Sequence, residues 1–236
     1  MPKTSSISTL NLLLARISQK EYQRFLENCD LVELKVANVL STHGDDIQYV
    51  YFPSSSVISL FMPINGASDL EVGLIGNEGM LGITLMLGIS AAPFNAVVQR
   101  AGTALRIAAP HFLREIEQYR ALHVELKRYL YVLISQLVQT ASCYRFHVVE
   151  ARLARLLLML RDRTHSGEIH ITQELLAQML GVRRVGVTKA AGSLQKKRLI
   201  SYSRGHVLIL DAQGLEAESC YCYQADKEIY RRILTA

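Results

Sequence analysis

Apolar residues recur close to every 3.6 positions over 7–28, through Leu10, Leu13, Leu14, Ile17, Tyr22, Phe25 and Leu26, which predicts a helix. From 31 to 107 the texture changes to short runs rich in Val, Ile, Tyr and Phe, at 49–52, 57–62, 70–75, 96–100 and 104–107. Turn signals punctuate them: His43-Gly44-Asp45-Asp46, Pro53-Ser54-Ser55-Ser56, Asn65-Gly66, Gly76-Asn77-Glu78-Gly79 and Ala101-Gly102. Short strands at near-regular spacing predict a small antiparallel β-barrel or jelly roll.

Pro110 opens a long helical segment, and 112–146 contains neither Gly nor Pro. Along it Leu126, Leu130, Leu133, Leu137, Ala141 and Tyr144 form a stripe at intervals of 4, 3, 4, 4 and 3. Such a stripe needs a cover, either a second copy of the helix in a two-stranded coil or the chain's own barrel. A further amphipathic helix follows at 149–163, through Leu153, Leu156, Leu157 and Leu160, and His165-Ser166-Gly167 stops it. Residues 168–171 read as extended. Thr172 stands where a helix N-cap belongs, Glu174 lies in the first turn, and Gly181 closes the helix after Leu175, Leu176, Met179 and Leu180. Val182 plugs the turn into a second helix, about 183–197, with Val185, Val187, Ala190, Ala191 and Leu194 as its apolar positions. Residues 199–202 and 207–210, joined by Ser203-Arg204-Gly205-His206, predict a hairpin. The expected class is α+β: an N-terminal antiparallel barrel or jelly roll with its leading helix (1–110), a long dimerisation helix (111–147) and a C-terminal winged helix-turn-helix (148–236).

Charge sharpens this division. Residues 1–147 hold 12 Lys/Arg and 12 Asp/Glu, whereas 148–236 hold 14 and 9, so the net +5 belongs entirely to the C-terminal part. Between 183 and 204 lie Arg183, Arg184, Lys189, Lys196, Lys197, Arg198 and Arg204 without one acidic residue, the electrostatic footprint expected for a polyanion partner. Half the residues are apolar, which excludes intrinsic disorder, and 14 Gly with 5 Pro exclude collagen-like and low-complexity classes. No apolar run reaches the roughly 18 residues of a membrane span, and the N-terminal apolar stretch is short for a secretory signal. Four cysteines form no disulfide framework at this size, so a cytoplasmic location is expected.

Two short helices joined by a tight glycine turn, the second one basic, are the parts of a helix-turn-helix. The major groove admits one helix, and guanine presents paired acceptors that an arginine fork meets. Arg183, Arg184, Thr188 and Lys189 stand at the leading end of the second helix, where base edges come within reach. Gly186, Ala190, Ala191 and Gly192 permit close approach to DNA or to the first helix. Lys196, Lys197 and Arg198 lie at the far end, placed for phosphates, and Arg204 and His206 mark the wing tip.

The run Ile171-Thr172-Gln173-Glu174-Leu175-Leu176-Ala177-Gln178-Met179-Leu180-Gly181-Val182, followed by Arg183-Arg184, resembles the winged helix-turn-helix of the CRP/FNR family of bacterial transcription regulators. Val50-Tyr51-Phe52-Pro53, Leu70-Glu71-Val72-Gly73 and Ile75-Gly76-Asn77-Glu78-Gly79-Met80-Leu81-Gly82 are similar to the cyclic-nucleotide-binding-like barrel of that family. The resemblance implies base reading by Arg184, a second cationic contact from Lys189 and a phosphate contact from Thr172, with Gln173 beside it. The acidic residue that follows the reading arginine in the family is Val185 here. A side chain that accepts no hydrogen bond cannot read cytosine amino groups, so an altered half-site is expected, with a methyl contact to thymine as one substitute.

The same comparison places a ligand pocket at Gly79, Met80, Leu81, Gly82, Phe94 and Asn95. Cyclic-nucleotide binders put a carboxylate in the first segment and an Arg-Ser pair in the second; this chain has Met80 and Phe94-Asn95, losing both charge-assisted contacts. Cyclic nucleotide binding is therefore not expected, and dependence on a cyclic nucleotide or another small effector stands as the alternative. The Cys220-X-Cys222 pair reads as packing, no metal-ligand cluster and no cofactor are expected, and no nucleophile elbow or phosphate-cradling loop suggests an enzyme. The expected partners are double-stranded DNA with a palindromic operator, a second copy of the chain, RNA polymerase and an unidentified small effector, with no membrane.

Overall fold

The computed structural model describes residues 11–64 and 69–234. Two compact units divide the chain, one drawn from 1–60 and 74–131, the other from 61–73 and 132–236.

In the first unit α1 (Gln19–Glu27) is shorter than the periodicity predicts. Ser18 and Glu21 close a capping box, with the Glu21 amide donating to Ser18 Oγ at 3.2 Å and the Ser18 amide to Glu21 Oε2 at 3.1 Å. That start signal outcompetes continuation from the preceding residues, where Asn11 Oδ1 accepts the Leu13 and Leu14 amides and Leu14–Arg16 forms a 3₁₀ turn. Leu10, placed in the helix by its spacing, and the Asn65-Gly66 turn lie outside the described residues.

Among the described residues the β region forms two sheets that do not close into a barrel. One has the order β1 (Asp30–Leu34), β7 (Gly102–Ala108), β3 (Tyr49–Pro53), with Leu31 opposite Leu105 and Val50 opposite Ile107. The other has the order β2 (Val39–Ser41), β6 (Asn95–Arg100), β4 (Val57–Met62), β5 (Leu70–Ile75). From Val57 to Phe61 every residue of β4 is buried, so this strand is covered on both faces and shows no period of two. Phe52 on β3 meets Phe25 of α1 edge-on at 5.4 Å and Phe112 of α2 (Ala109–Gln118) at 6.3 Å. These three rings seal one end of the core, an arrangement worth more than their area alone.

Pro110 sits in the first turn of α2, as its fixed φ favours. The uninterrupted pattern from 112 to 146 is nevertheless broken at Tyr119, which leaves the helical region at φ −110°, ψ 97°, before α3 (Arg120–Phe146) begins. No Gly or Pro signals that break.

The second unit contains the C-terminal half of α3, then α4 (Val149–Thr164), β8 (Glu168–His170), α5 (Gln173–Leu180), α6 (Arg184–Lys196), β9 (Ile200–Ser203), β10 (His206–Ile209), α7 (Ala212–Glu218) and α8 (Cys222–Leu234). The predicted hairpin gains β8 as a third strand, in the order β8-β10-β9. Arg204 (φ 49°) and Gly205 (φ 82°) make its two-residue turn; the left-handed backbone at both positions matches the strand twist. Helix α4 is the axle of this unit. Leu153, Leu157 and Leu158 are buried on it, and so are Arg152, Arg155 and Arg163. Those three arginines belong to the positive excess of the C-terminal part, yet they serve its interior. Arg155 pairs with Asp226 of α8 at 2.7 Å, and Arg152 donates to the Leu180 carbonyl and lies 4.4 Å over the Tyr144 ring.

Candidate nucleic-acid interface

The leading end of α6 is built from three local decisions. Thr172 has extended backbone and accepts the Leu175 amide at 3.2 Å, fixing where α5 starts. Gly181 adopts φ 59°, the left-handed conformation that ends α5 and turns the chain, and its amide and the Val182 amide return to the last carbonyls of the helix. Arg183 is the residue ahead of the first turn of α6, and Leu176, Leu180, Val187, Ala190 and Leu194 bury the faces that hold α5 and α6 together. Arg183, Arg184, Thr188 and Lys189 are exposed on the opposite side.

Gln173 is the strut between the helices. Its Oε1 accepts from Arg184 Nε at 3.4 Å and from Thr188 Oγ1 at 3.0 Å, so the first residue of α5 orients two side chains of α6. Val185 is 59% exposed, although its spacing marked it as a buried position. Gly192 faces open space, whereas Ala190 and Ala191 are buried, so the small-residue cluster serves helix packing at the alanines only.

Farther along, the two lysines differ. Lys196 is exposed. Lys197 binds Glu150 at 2.8 Å and Glu218 at 2.7 Å, and these carboxylates raise its pKa. Sequence reasoning assigned Lys197 to phosphate; the structure spends it on the protein's own acids, a pairing between α4, α6 and α7 that linear charge counting cannot see. At the wing, Arg204 and His206 are exposed, and His206 stands across from His170 with ring centroids 4.2 Å apart.

The segment Gly79–Gly82 is packed on both sides. Asn11 Nδ2 donates to the Gly79 carbonyl at 2.8 Å, Tyr129 Oη donates to the Met80 carbonyl at 3.1 Å, and Met80 is fully buried. A Cβ on Gly79 would stand 2.5 Å from Tyr129 Oη, so the glycine is what admits the tyrosine. Asn95 Oδ1 accepts the His43 amide at 2.8 Å and the Phe94 carbonyl accepts from Ser41 Oγ at 3.4 Å; both residues close a turn.

On α3 the predicted stripe is largely used within the chain. Leu126 and Leu133 are buried, Leu130 and Leu137 are half-buried, and Tyr144 Oη donates to the carbonyls of Glu71 and Met179. Only Ala141 of that set is exposed. The apolar row open to solvent is instead Val124, Tyr131, Ile134, Val138 and Ala141, at intervals of seven, three, four and three. Sequence periodicity fits both rows, and tertiary packing chose between them.

Three cysteines counted as scattered or as packing converge in this unit. Cys143 near the end of α3, Cys220 between α7 and α8, and Cys222 at the start of α8 are buried beside His147. The hydrogen bond shared with Cys220 and then the nearby Arg155 guanidinium pull the Cys143 thiol down, while the same bond and burial push Cys220 up. The i, i+4 spacing of Cys143 and His147 was the available signal.

Helix, glycine turn, cationic helix and wing together define a winged helix-turn-helix. Residues 151–218 match the Crp-like helix-turn-helix domain family. Among solved structures the chain is similar to the c-di-GMP-responsive global regulator CLP of Xanthomonas campestris (16% identity, 81% of this chain and 99% of that one, TM-score 0.67). It is also similar to the CRP-family transcriptional regulator TTHB099 of Thermus thermophilus (17%, 80% and 96%, TM-score 0.68). A crp/fnr-family transcriptional regulator of Eubacterium rectale aligns likewise (16%, 87% and 96%, TM-score 0.66). A comparison with curated proteins returned no match. The chain thus has the fold of the CRP/FNR regulators, and its residues 151–218 are of the Crp-like helix-turn-helix kind. No helix among the described residues is long and apolar enough to cross a membrane.

Proposed function

We propose that the chain acts as a homodimer that reads a palindromic operator, one half-site per protomer about one helical turn apart. The observation that carries this reading is the exposed set Arg183, Arg184, Thr188 and Lys189 at the start of α6, with Arg184 and Thr188 braced by Gln173. Arg184 reads guanine, Lys189 takes a second base or a phosphate, Val185 offers its methyls to thymine, and Thr172, Lys196, Arg204 and His206 hold the backbone. Lys197 joins only if DNA displaces Glu150 and Glu218. The assignment of 1–110 as sensor module, 111–147 as dimer segment and 148–236 as DNA-binding domain is retained, with the row Tyr131, Ile134, Val138 and Ala141 now as the mating face. These positions follow the alternating three and four spacing of a two-stranded coil and lack an apolar cover in the protomer.

The β module serves as a scaffold that does not hold a cyclic nucleotide. Met80 and the half-buried Phe94-Asn95 pair supply neither a carboxylate nor a guanidinium, and Tyr129 and Asn11 occupy the carbonyls around Gly79. Regulation through RNA polymerase and an unidentified small effector completes the proposal, with the cell interior as its place of action.

Selection of bound duplexes from a random pool, followed by fluorescence anisotropy on the selected site and on a scrambled one, tests it. A palindromic consensus bound at least about a thousandfold more tightly than the scrambled duplex is expected. A non-palindromic consensus, or equal affinity for both duplexes, overturns the reading. Calorimetry with cyclic AMP and cyclic GMP is the companion test; tight binding of either overturns the scaffold assignment.

A further inference from the structure

Cys143, His147, Cys220 and Cys222 each present one ligand atom, and these four atoms all lie within 4.8 Å of one another. Cys143 Sγ is 3.5 Å from Cys220 Sγ, and Cys222 Sγ is 3.5 Å from His147 Nδ1. A tetrahedral zinc ion, with Zn–S of about 2.3 Å and Zn–N of about 2.0–2.1 Å, requires S···S near 3.8 Å and S···N near 3.5 Å along its edges. Both of these separations are close to those of a coordination shell, and no other pair exceeds 4.8 Å.

We infer that Cys143, His147, Cys220 and Cys222 form a mononuclear zinc(II) site of the structural, four-ligand kind.

Local structure brings the ligands together in two pairs. Cys143 and His147 are one turn apart, and the His147 amide continues the α3 ladder by donating to the Cys143 carbonyl at 3.1 Å, so both side chains leave the same face. Cys220 and Cys222 flank Tyr221 at the α7–α8 corner, where the Tyr223 amide donates to the Cys220 carbonyl at 3.1 Å. The surroundings suit thiolates. Gln139, one turn before Cys143, donates Nε2 to Cys222 Sγ at 2.9 Å. Hydrogen bonds of this kind orient a metal's ligands. Zinc with three thiolates and a neutral imidazole carries one net negative charge, and the buried Arg155 guanidinium, whose ion-pair partner is Asp226, lies beside Cys143. Loading releases the three thiol protons to solvent, and no redox change is involved.

Competing roles explain less. Packing accounts for three buried thiols but not for an imidazole nitrogen and an amide donor aimed at them. A Cys143–Cys220 disulfide leaves Cys222 and His147 facing each other without a task. An iron–sulfur cluster distributes its thiolates around several irons, a wider cage than this one. Thiolate-rich tetrahedral ligation of a single ion selects zinc among the abundant divalent metals. With His147 two residues before α4, the ion would pin the exit of α3 and the α7–α8 corner at the entry to the helix-turn-helix. The site is independent of how DNA is read.

The test uses the full chain, purified under reductant without chelator. Elemental analysis should find about one zinc per chain, as a closed structural site retains its ion. Cobalt(II) added to chelator-stripped protein should give the thiolate charge-transfer and tetrahedral d–d bands, abolished by an equivalent of zinc. The double variant Cys220→Ser/Cys222→Ser should lose both signals, and Cys29→Ser should keep them. Should the double variant fail to fold, the cobalt titration of the parent chain decides alone. Parent protein with four titratable thiols and no tetrahedral cobalt spectrum overturns the inference. So does a preparation that lacks two thiols to a disulfide, or one that carries several irons per chain.

Discussion

The loop Gly79–Gly82 in the β module and the first turn of α6 hold corresponding ranks in the sequence, one as ligand pocket and one as DNA reader. Physically they are opposites. In the first, Met80 is fully buried, Tyr129 and Asn11 saturate the neighbouring carbonyls, and the one space available is filled by a tyrosine against a glycine. In the second, every cationic side chain is in solvent, and Gln173 braces Arg184 together with the neighbouring Thr188. A segment whose polar groups are already paired gains little from a ligand, whereas exposed, pre-oriented donors keep their full bonding capacity for one. The difference separates structure from recognition more clearly than either motif does.

Five substitutions sharpen or break that contrast, from largest to smallest effect. Asp226→Ala strands the buried Arg155 guanidinium and should cost about 3–5 kcal/mol of stability. Urea unfolding measures it, and a loss below about 1 kcal/mol would mean that the pair is hydrated. Gly79→Ala forces a Cβ against Tyr129 and should destabilise by about 1–3 kcal/mol, with DNA affinity of the folded protein unchanged. Coincident melting curves for variant and parent would show an open pocket instead of a filled one. Arg184→Ala should do the reverse, leaving the melting curve in place while discrimination between selected and scrambled duplexes falls by about 1–3 kcal/mol. Equal losses on both duplexes would demote Arg184 to a phosphate contact. Lys197→Ala should be nearly silent in DNA binding, in contrast to Lys196→Ala, which should reduce the salt slope of log affinity by about one. A matching slope change for Lys197 would show that DNA wins it from Glu150 and Glu218.

Much of this architecture was legible before any coordinates. The helix-turn-helix was readable because its instructions are local: the cap at Thr172, the left-handed glycine at 181 and the Arg204-Gly205 turn each act on residues a few positions away. The strands β3, β4 and β5 were readable for the same reason, through their turn residues and β-branched runs. The sequence was silent where a distant group had the last word. Lys197 was claimed by carboxylates 47 and 21 positions away, and the α3 stripe was sorted by packing into buried Leu126 and Leu133 and exposed Ile134 and Val138. The break at Tyr119 carries no local sign at all.

The amino-acid order by itself thus determined the class of most elements between 49 and 210 and the cationic character of α6, since capping, turn chemistry and periodicity are near-neighbour effects. Which charges face outward, which row of a long helix stays uncovered, and that three thiols and an imidazole separated by as many as 79 positions share one point in space were decided by tertiary structure. The physical reason is that burial and side-chain pairing are settled between elements, and no window along the chain contains both partners.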